Sequence, residues 1–413
     1  MDSRPPHLDS RPTRLGKFEL LARIAKGGMA EIFLARQHDR VGLSRLVVVK
    51  RILPHLAEEL PFVEMFLEEA RYAALINHPN VVQIYDVGES EGDFYIAMEY
   101  IDGPSIGLLA RDARRKKVPL PPIIAAEMVA QACDGLHAAH ELRDETGIAL
   151  GLVHRDVSPH NLMLTRGGTV KLLDFGVAKA QDSAVQTNTG SVKGKFPYMS
   201  PEQCRGDALD RRTDVFSLGI VFWELVCAER LFQRNTDLMT LKAITEDPLP
   251  IPRERNPALP ESLSEVLRRS LARDRELRFE SAAAMGQAVR GALTGLGERG
   301  GSELVARYVE DHHGDAMDAR AAKLREVSRK PTGAQVPVVR GFDHARGTGS
   351  ASAVGGGSVS STYDATVRGT RPSLQGRGYP SESSVSGAPE SPALDSGMDG
   401  LIAMPSGAFT VDE

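Results

Sequence analysis

Between Phe18 and Met98 the chain alternates apolar and polar positions, or runs short β-branched stretches, with Gly-Gly or Gly-Asp turns between them. The segments "KFELLARIA", "EIFLARQ", "SRLVVVKRI", "VVQIYDVGE" and "DFYIAMEYI" each read as a strand. One segment among them, "PFVEMFLEEARYAALINH", repeats its apolar residues at helical spacing, with Pro61 at its start and His78-Pro79 just past its end. The pattern predicts a small sheet with one principal helix. After Gly103 helical spacing dominates, at "PPIIAAEMVAQACDGLHAAHEL", "DVFSLGIVFWELVCA", "TLKAIT", "SLSEVLRRSLA" and "SAAAMGQAVRGAL". Residues 302 to 328 predict one or two further helices. No internal repeat is present. The chain thus reads as an α+β, two-lobed protein: a polar, mobile arm over 1–15, a β-rich lobe over 16–101, a helical lobe over 102–294, a short helical extension over 295–330 and a tail over 331–413. In the tail 34 of 83 residues are Gly, Ser or Pro, too little apolar content to offset ordering entropy, so disorder is expected there.

Composition narrows the classes. The chain of 413 residues is too long for one ordinary core, and 41% hydrophobic with 25% charged residues is usual for a folded soluble protein. A net charge of −5 supplies no basic field, so neither nucleic acid nor anionic lipid is expected as a partner. Three scattered cysteines, Cys133, Cys204 and Cys227, argue against a disulfide framework and for a reducing compartment. The longest apolar stretch, "VFSLGIVFWELVCA", falls short of the roughly 18 residues a membrane helix needs and contains Glu224, so it predicts a buried helix. The first residues, "MDSRPPHLDSRPTRLG", hold no apolar stretch of the signal-peptide kind. A cytoplasmic location without a membrane anchor of its own is the expectation.

The chemistry-bearing residues gain meaning from their order. Lys50 ends the strand "VVVK" and Glu69 sits on the following helix; a carboxylate that orients the ammonium would let it hold phosphate oxygens. Asp156 and Asn161 stand at D-x-x-x-x-N spacing, and Asp174 follows Asn161 by thirteen residues. The intervening "LMLTRGGTVKLL" reads as strand, Gly167-Gly168 turn and strand, and a hairpin returns its ends to one place. Asn161 and Asp174 then converge, and two oxygen donors at one point suit Mg²⁺. Polar loop residues that cap turns would account for any one of these positions but not for their spacing.

Together Lys50, Glu69, "HRDVSPHN", "DFG", "SPE", Asp214 and Arg278 in "DRELRFES" resemble the protein kinases, and "GGMAEIFLA", "NHPNVVQIYDVGE" and "YMSPEQCRG" resemble the bacterial, eukaryotic-like (Hanks-type) serine/threonine kinases. The resemblance covers about residues 16 to 294, with the motifs in family order. It implies the bilobal kinase fold and transfer of the γ-phosphate of ATP to protein hydroxyls. It implies that Lys50 contacts the α- and β-phosphates, paired with Glu69, and that Asp156 orients the substrate hydroxyl and accepts its proton. Asn161 and Asp174 would bind Mg²⁺, with Mn²⁺ as an alternative. Glu202 would pair with Arg278, and Asp214 would brace the catalytic loop. The nucleotide would lie among Ile24, Ala25, Lys26, Gly27, Gly28, Met29, Ala30, Ile32 and Val48. Met98 would guard the back of the adenine slot, and Glu99 and Ile101 would offer it backbone groups. Thr187 and Thr189 are implied sites of activating phosphorylation, received by Arg155 and Lys179. Self-association for trans-autophosphorylation goes with that reading.

The departures from the family pattern are specific. In the Gly-rich loop "IAKGGMAEI" the first and third glycines are Ala25 and Ala30, which predicts weaker ATP holding rather than its loss. Val48 stands where alanine is more frequent. His160 replaces a glutamate that holds substrate arginine in basophilic kinases, so no preference for basic substrates is assumed. The insertion "LRDETGIALG" predicts a short surface hairpin. Ser158 stands where the family has a catalytic-loop lysine, and Lys195 where it has a threonine; the two read as exchanged, which would move the ammonium to the opposite wall. Cys133, His137 and His140 share a helical stripe that reads as core packing rather than metal binding. His312-His313 and "RDARRKK" read as solvated surface. A nucleotide-binding pseudokinase and a small-molecule kinase are the competing classes; the five charge-handling residues argue against the first and the long segment ending in "SPE" against the second.

Overall fold

Strands with apolar residues on both faces must be covered on both, and the N-terminal part of the chain does this with a single curled sheet. In the computed structural model, which describes residues 14–38, 43–175, 196–298 and 300–329, β1 (Arg14–Leu15), β2 (Phe18–Lys26), β3 (Ala30–His38), β4 (Ser44–Ile52), β5 (Ile84–Ser90) and β6 (Asp93–Glu99) form a six-stranded antiparallel sheet in the order β1-β2-β3-β4-β6-β5. One face buries Phe18, Phe33, Val47, Val49 and Tyr95, and the other buries Ile24, Ile32, Val48, Ile96 and Met98. Period-two alternation sorts these residues, so Val48 and Lys50 of β4 share a face while Val47 and Val49 take the opposite one. The sheet begins two residues earlier than expected, inside the segment read as an arm. The cause is local: Gly16 at φ +52° turns the chain so that Leu15, 1% exposed, pairs with Phe18.

Two helices follow β4, a short α1 (Pro54–Ala57) and α2 (Leu60–Leu75), which packs Val63, Phe66 and Ala70 onto the sheet. The larger lobe contains α3 (Ile106–Lys116), α4 (Pro122–His140), the hairpin β7 (Leu162–Leu164) and β8 (Val170–Leu172), α5 (Pro201–Arg205), α6 (Arg212–Cys227), α7 (Asp237–Thr245), α8 (Pro252–Arg255), α9 (Glu261–Ser270), α10 (Ala282–Gly295) and α11 (Ser302–Arg329). Its core centres on α4 and α6. Every residue of α6 from Thr213 to Cys227 is buried, which matches its lack of a polar face. Residues 302–329 form one 28-residue helix, not two. The insertion closes as a small turn, with Asp144 Oδ1 accepting the N–H groups of Thr146 and Ile148. No helix among the described residues is long and apolar enough to cross a membrane.

Lys179, Thr187, Thr189 and Lys195, the first thirteen residues and everything from 330 onward lie outside the described residues.

Candidate active site

The β2–β3 turn runs from Gly27 to Met29. Gly27 N–H donates to Ala30 O at 2.8 Å, and Leu53 N–H donates to Met29 O at 2.9 Å, so the turn is tied both to itself and to the end of β4. Ala25 lies in β2 opposite Ile32, next to a register shift, and Ala30 begins β3 opposite Ile52. Among the described residues positive φ outside glycine occurs at Glu91, Lys117, Arg155, Asp174 and Ala228, and not at these alanines. Extended backbone explains why alanine is accommodated where the motif has glycine. Behind the turn, buried Glu31 accepts from Arg23 and from Arg51, each at 2.6 Å, joining β2, β3 and β4 on the sheet's other face. Burial alone would raise the Glu31 carboxyl; the two guanidiniums outweigh it and hold it below the usual carboxylate range. No motif pointed to this network. Three charges alternating with apolar residues were its only signal.

Ile24, Ala30, Ile32, Val48, Met98 and Ile101 are brought into one buried cluster, which also takes in Met163 and Leu173 from the other lobe. The last two were missed, although both flank the metal-site candidates in sequence. Val48 pairs with Met98 across β4 and β6. The Glu99 side chain turns away to Lys171 Nζ at 2.8 Å, and its N–H donates to Gln83 O, which leaves its carbonyl as the backbone group to offer.

Lys50 reaches from β4 to Glu69 Oε1 and Asp174 Oδ1, both at 3.0 Å. Burial would lower the Lys50 ammonium, but the Asp174 and Glu69 carboxylates more than offset this and hold it well above its ordinary value. The lysine is therefore a fixed cation at any physiological pH. Asn161 Nδ2 donates to Asp156 O at 2.8 Å and to Asp156 Oδ2 at 3.1 Å, which leaves Asn161 Oδ1 as the acceptor for another partner. Leu173 N–H donates to Asn161 O at 2.9 Å, so the hairpin does return Asp174 beside Asn161. An amide oxygen on the loop and a carboxylate at the adjoining end of the hairpin fit a hard divalent cation that takes its remaining ligands from phosphate and water. Ser158 lies between Asp156 and Asn161, its carbonyl accepting from Asn161 N–H at 3.0 Å.

The loop holding these residues is held from below. Asp214 Oδ2 accepts from His154 N–H at 2.8 Å and from His140 Nε2–H at 2.7 Å, while its Oδ1 accepts from Arg155 N–H at 2.8 Å. His140 was expected only to pack, and its place at the end of α4 makes it the brace's third donor. His154 donates Nε2–H to Leu173 O at 3.0 Å and accepts from Asp156 N–H, tying the loop to the segment ahead of Asp174. Glu202 receives a two-pronged pair of bonds from Arg278, at 2.7 and 2.8 Å, and a third from Thr213. The run read as a wet face departs from expectation at Arg114, which turns inward to Glu224 at 3.0 Å. Arg230 and Tyr198 reach the same carboxylate from other segments. Burial pushes the Glu224 carboxyl up to about 8 against the pull of Arg114. Among the described residues no cluster of three His, Cys, Asp or Glu side chains could hold a metal.

A two-lobed fold with a lysine–glutamate–aspartate triad over a braced loop defines a phosphotransferase of one class. The model of the protein kinase domain matches residues 18–289, and the chain belongs to that family, which uses ATP and a divalent metal. It is 44% identical over 319 residues to the tyrosine-protein kinase MasK of Myxococcus xanthus, covering 77% of this chain and 48% of that protein. It is 39% identical over 287 residues to the serine/threonine-protein kinase PknB of Mycobacterium leprae, covering 68% and 43%. The chain thus spans less than half the length of these curated relatives. A crystal structure of the PknI kinase domain of Mycobacterium tuberculosis superposes with a TM-score of 0.51 at 25% identity, covering 68% of this chain and 97% of that one.

Proposed function

We propose that this protein is an ATP-dependent serine/threonine protein kinase acting in bacterial signalling from the cytoplasm. The observation that carries the reading is Lys50, bonded at 3.0 Å to both Glu69 and Asp174, with Asp156 and Asn161 bonded to each other on the adjoining loop. Lys50 holds phosphate oxygens, Asp156 orients the hydroxyl and takes its proton, and Asn161 with Asp174 would hold Mg²⁺, which neutralises charge on the phosphates when bound. The adenine lies in the slot of Ile24, Val48, Met98 and Ile101. The test is incubation of the pure protein with labelled ATP and Mg²⁺, followed by phosphoamino-acid analysis. Phosphoserine and phosphothreonine are the expected products. Nucleotide binding without transfer would make it a pseudokinase, and phosphotyrosine alone would overturn the choice of hydroxyl.

Activation by phosphorylation at Thr187 or Thr189, in trans between two copies, belongs to the same proposal. Arg155 supports it: its Nε and Nη1 are buried with no hydrogen-bond partner among the described residues. Two unsatisfied guanidinium nitrogens are costly, and a phosphate with its ≈ −1.5 to −2 charges would satisfy them, with Lys179 as the second cation. A Thr187→Ala, Thr189→Ala protein is expected to lose most of its activity in a timed peptide assay; undiminished activity would remove this mode of control.

Lys195 we read as the ammonium that stabilises the transferring phosphoryl group, hydrogen-bonded by Ser158. Lys195→Thr should lower kcat by roughly 10²-fold, the scale of a lost electrostatic stabiliser. Adding Ser158→Lys should restore much of it. An unimpaired Lys195→Thr enzyme would show that transfer proceeds without that charge.

A further inference from the structure

The hairpin that carries Asn161 and Asp174, the connector between the lobes and the slot below the sheet are all met by one element beyond the family match, α11. The helix starts on the larger lobe. At Gly168, φ +76°, an added Cβ would lie 2.0 Å from Ser302 O and 2.5 Å from Ala306 N, so the hairpin turn rests directly on the first turn of α11. Val305, Val309 and Met317 are buried in the larger lobe's core, and Arg166 from the same hairpin turn bonds Asp318 at 2.6 Å. At about 1.5 Å per residue the helix then advances roughly 33 Å from Ser302 to Leu324, far enough to pass from one lobe to the other.

It meets the connector on the way. Arg320 Nη2 donates to Asp102 Oδ1 at 3.2 Å and to Gly103 O at 3.1 Å. The connector has little freedom on its other side, because a Cβ at Gly103 would lie 1.8 Å from Leu164 O. One turn further, Leu324 is 5% exposed and joins the cluster that contains Ile24, Val48, Met98 and Ile101. The two residues lie four apart, on one face of the helix. One fixes the backbone just after Ile101 and the other completes the apolar packing around the slot.

We propose that Arg320 and Leu324 are positioning residues for the nucleotide, acting through the connector and the slot without touching ATP. This rests on the reading of that slot as the adenine site. Binding needs the connector in one conformation, and an unpinned connector samples others, so the apparent affinity falls by the fraction that remains competent. Chemistry on bound ATP depends on Lys50, Asp156 and Asp174, whereas Arg320 bonds Asp102 and Gly103 and Leu324 packs in the cluster around the slot. The effect therefore falls on KM for ATP and leaves kcat nearly unchanged.

The experiment uses the full chain and titrates a fluorescent methylanthraniloyl derivative of ATP with Mg²⁺, alongside KM and kcat for ATP. Arg320→Ala is expected to weaken binding and raise KM about tenfold, the scale of a lost charge-assisted hydrogen bond, with kcat within about twofold. Leu324→Ala should act in the same sense. Arg320→Lys, which keeps a cation able to reach one acceptor, should recover part of the affinity, and Lys323→Ala, on the exposed face, should change nothing. Unchanged binding by Arg320→Ala and Leu324→Ala would overturn the inference. So would a loss of kcat or thermal stability without a selective rise in KM, or a failure of Arg320→Lys to recover any affinity. A wild-type protein that binds no nucleotide would instead overturn the proposed function itself.

Discussion

An Asp156→Asn protein is expected to fold, to bind ATP and to transfer phosphate about 10³-fold more slowly than wild type or worse. The substitution is isosteric, so the bond between the side chains of residues 156 and 161 can persist through the amide oxygen, and Asn161 also holds the loop through Asp156 O at 2.8 Å. What disappears is the carboxylate charge that positions a hydroxyl and accepts its proton, a role worth typically 10²–10⁴-fold. Lys50→Met should be comparably inactive for a different reason. It removes the phosphate contact and leaves Glu69 and Asp174 facing each other without the ammonium that bridges them. Circular dichroism and nucleotide titration check the fold and binding, and single-turnover transfer of labelled phosphate checks the chemistry. Comparable transfer by wild type and Asp156→Asn would end the kinase assignment.

The second large effect is expected at Asp214, which no substrate touches. Its buried carboxylate accepts from two successive backbone N–H groups and from His140. Those bonds hold Arg155 at φ +63°, a conformation a non-glycine residue keeps only when its surroundings impose it. Asp214→Ala orphans two buried donors and a partly buried one at once and should cost several kcal/mol of stability, at roughly 1–3 kcal/mol for each unsatisfied donor. Asp156, directly after Arg155, should lose its placement, with kcat down by roughly 10²-fold. The pH dependence has a definite sign. Burial would raise the Asp214 carboxyl, but the hydrogen bond from His140 and the backbone N–H of His154 hold it below its ordinary value. A depressed folded value contributes stability above the unfolded value of about 3.9, and that contribution is lost as pH falls through the folded value. Wild type should therefore lose more stability than Asp214→Ala between pH 5 and pH 2 in denaturant titrations. Equal losses would mean that Asp214 is not the charged centre of the brace.

The strands and the main helices were legible because periodicity is a local property: which residues of β4 face the slot follows from alternation alone, and α6 shows its burial by having no polar face. The charge-handling residues were legible for a different reason, since metal binding and proton transfer restrict residue type and the hairpin restricts spacing, so Asp156, Asn161 and Asp174 announce themselves in order. What the sequence by itself determined, then, is the set of elements, the chemistry-bearing residues and the family they define. Only the tertiary structure decided which side chains meet. Lys50 finds Asp174 across 124 positions, Arg51 joins Arg23 on Glu31, and His140 leaves its packing stripe for Asp214. The positive φ values at Arg155 and Asp174 are likewise imposed by the bonds around them rather than by the residues themselves. The weakly patterned segment after residue 301 became a single helix because the hairpin turn, Asp102, Gly103 and the slot's apolar cluster gave it partners along its length. Local pattern states how much surface a segment must bury; the partner that buries it is chosen by long-range packing, which the order of residues along one helix does not contain.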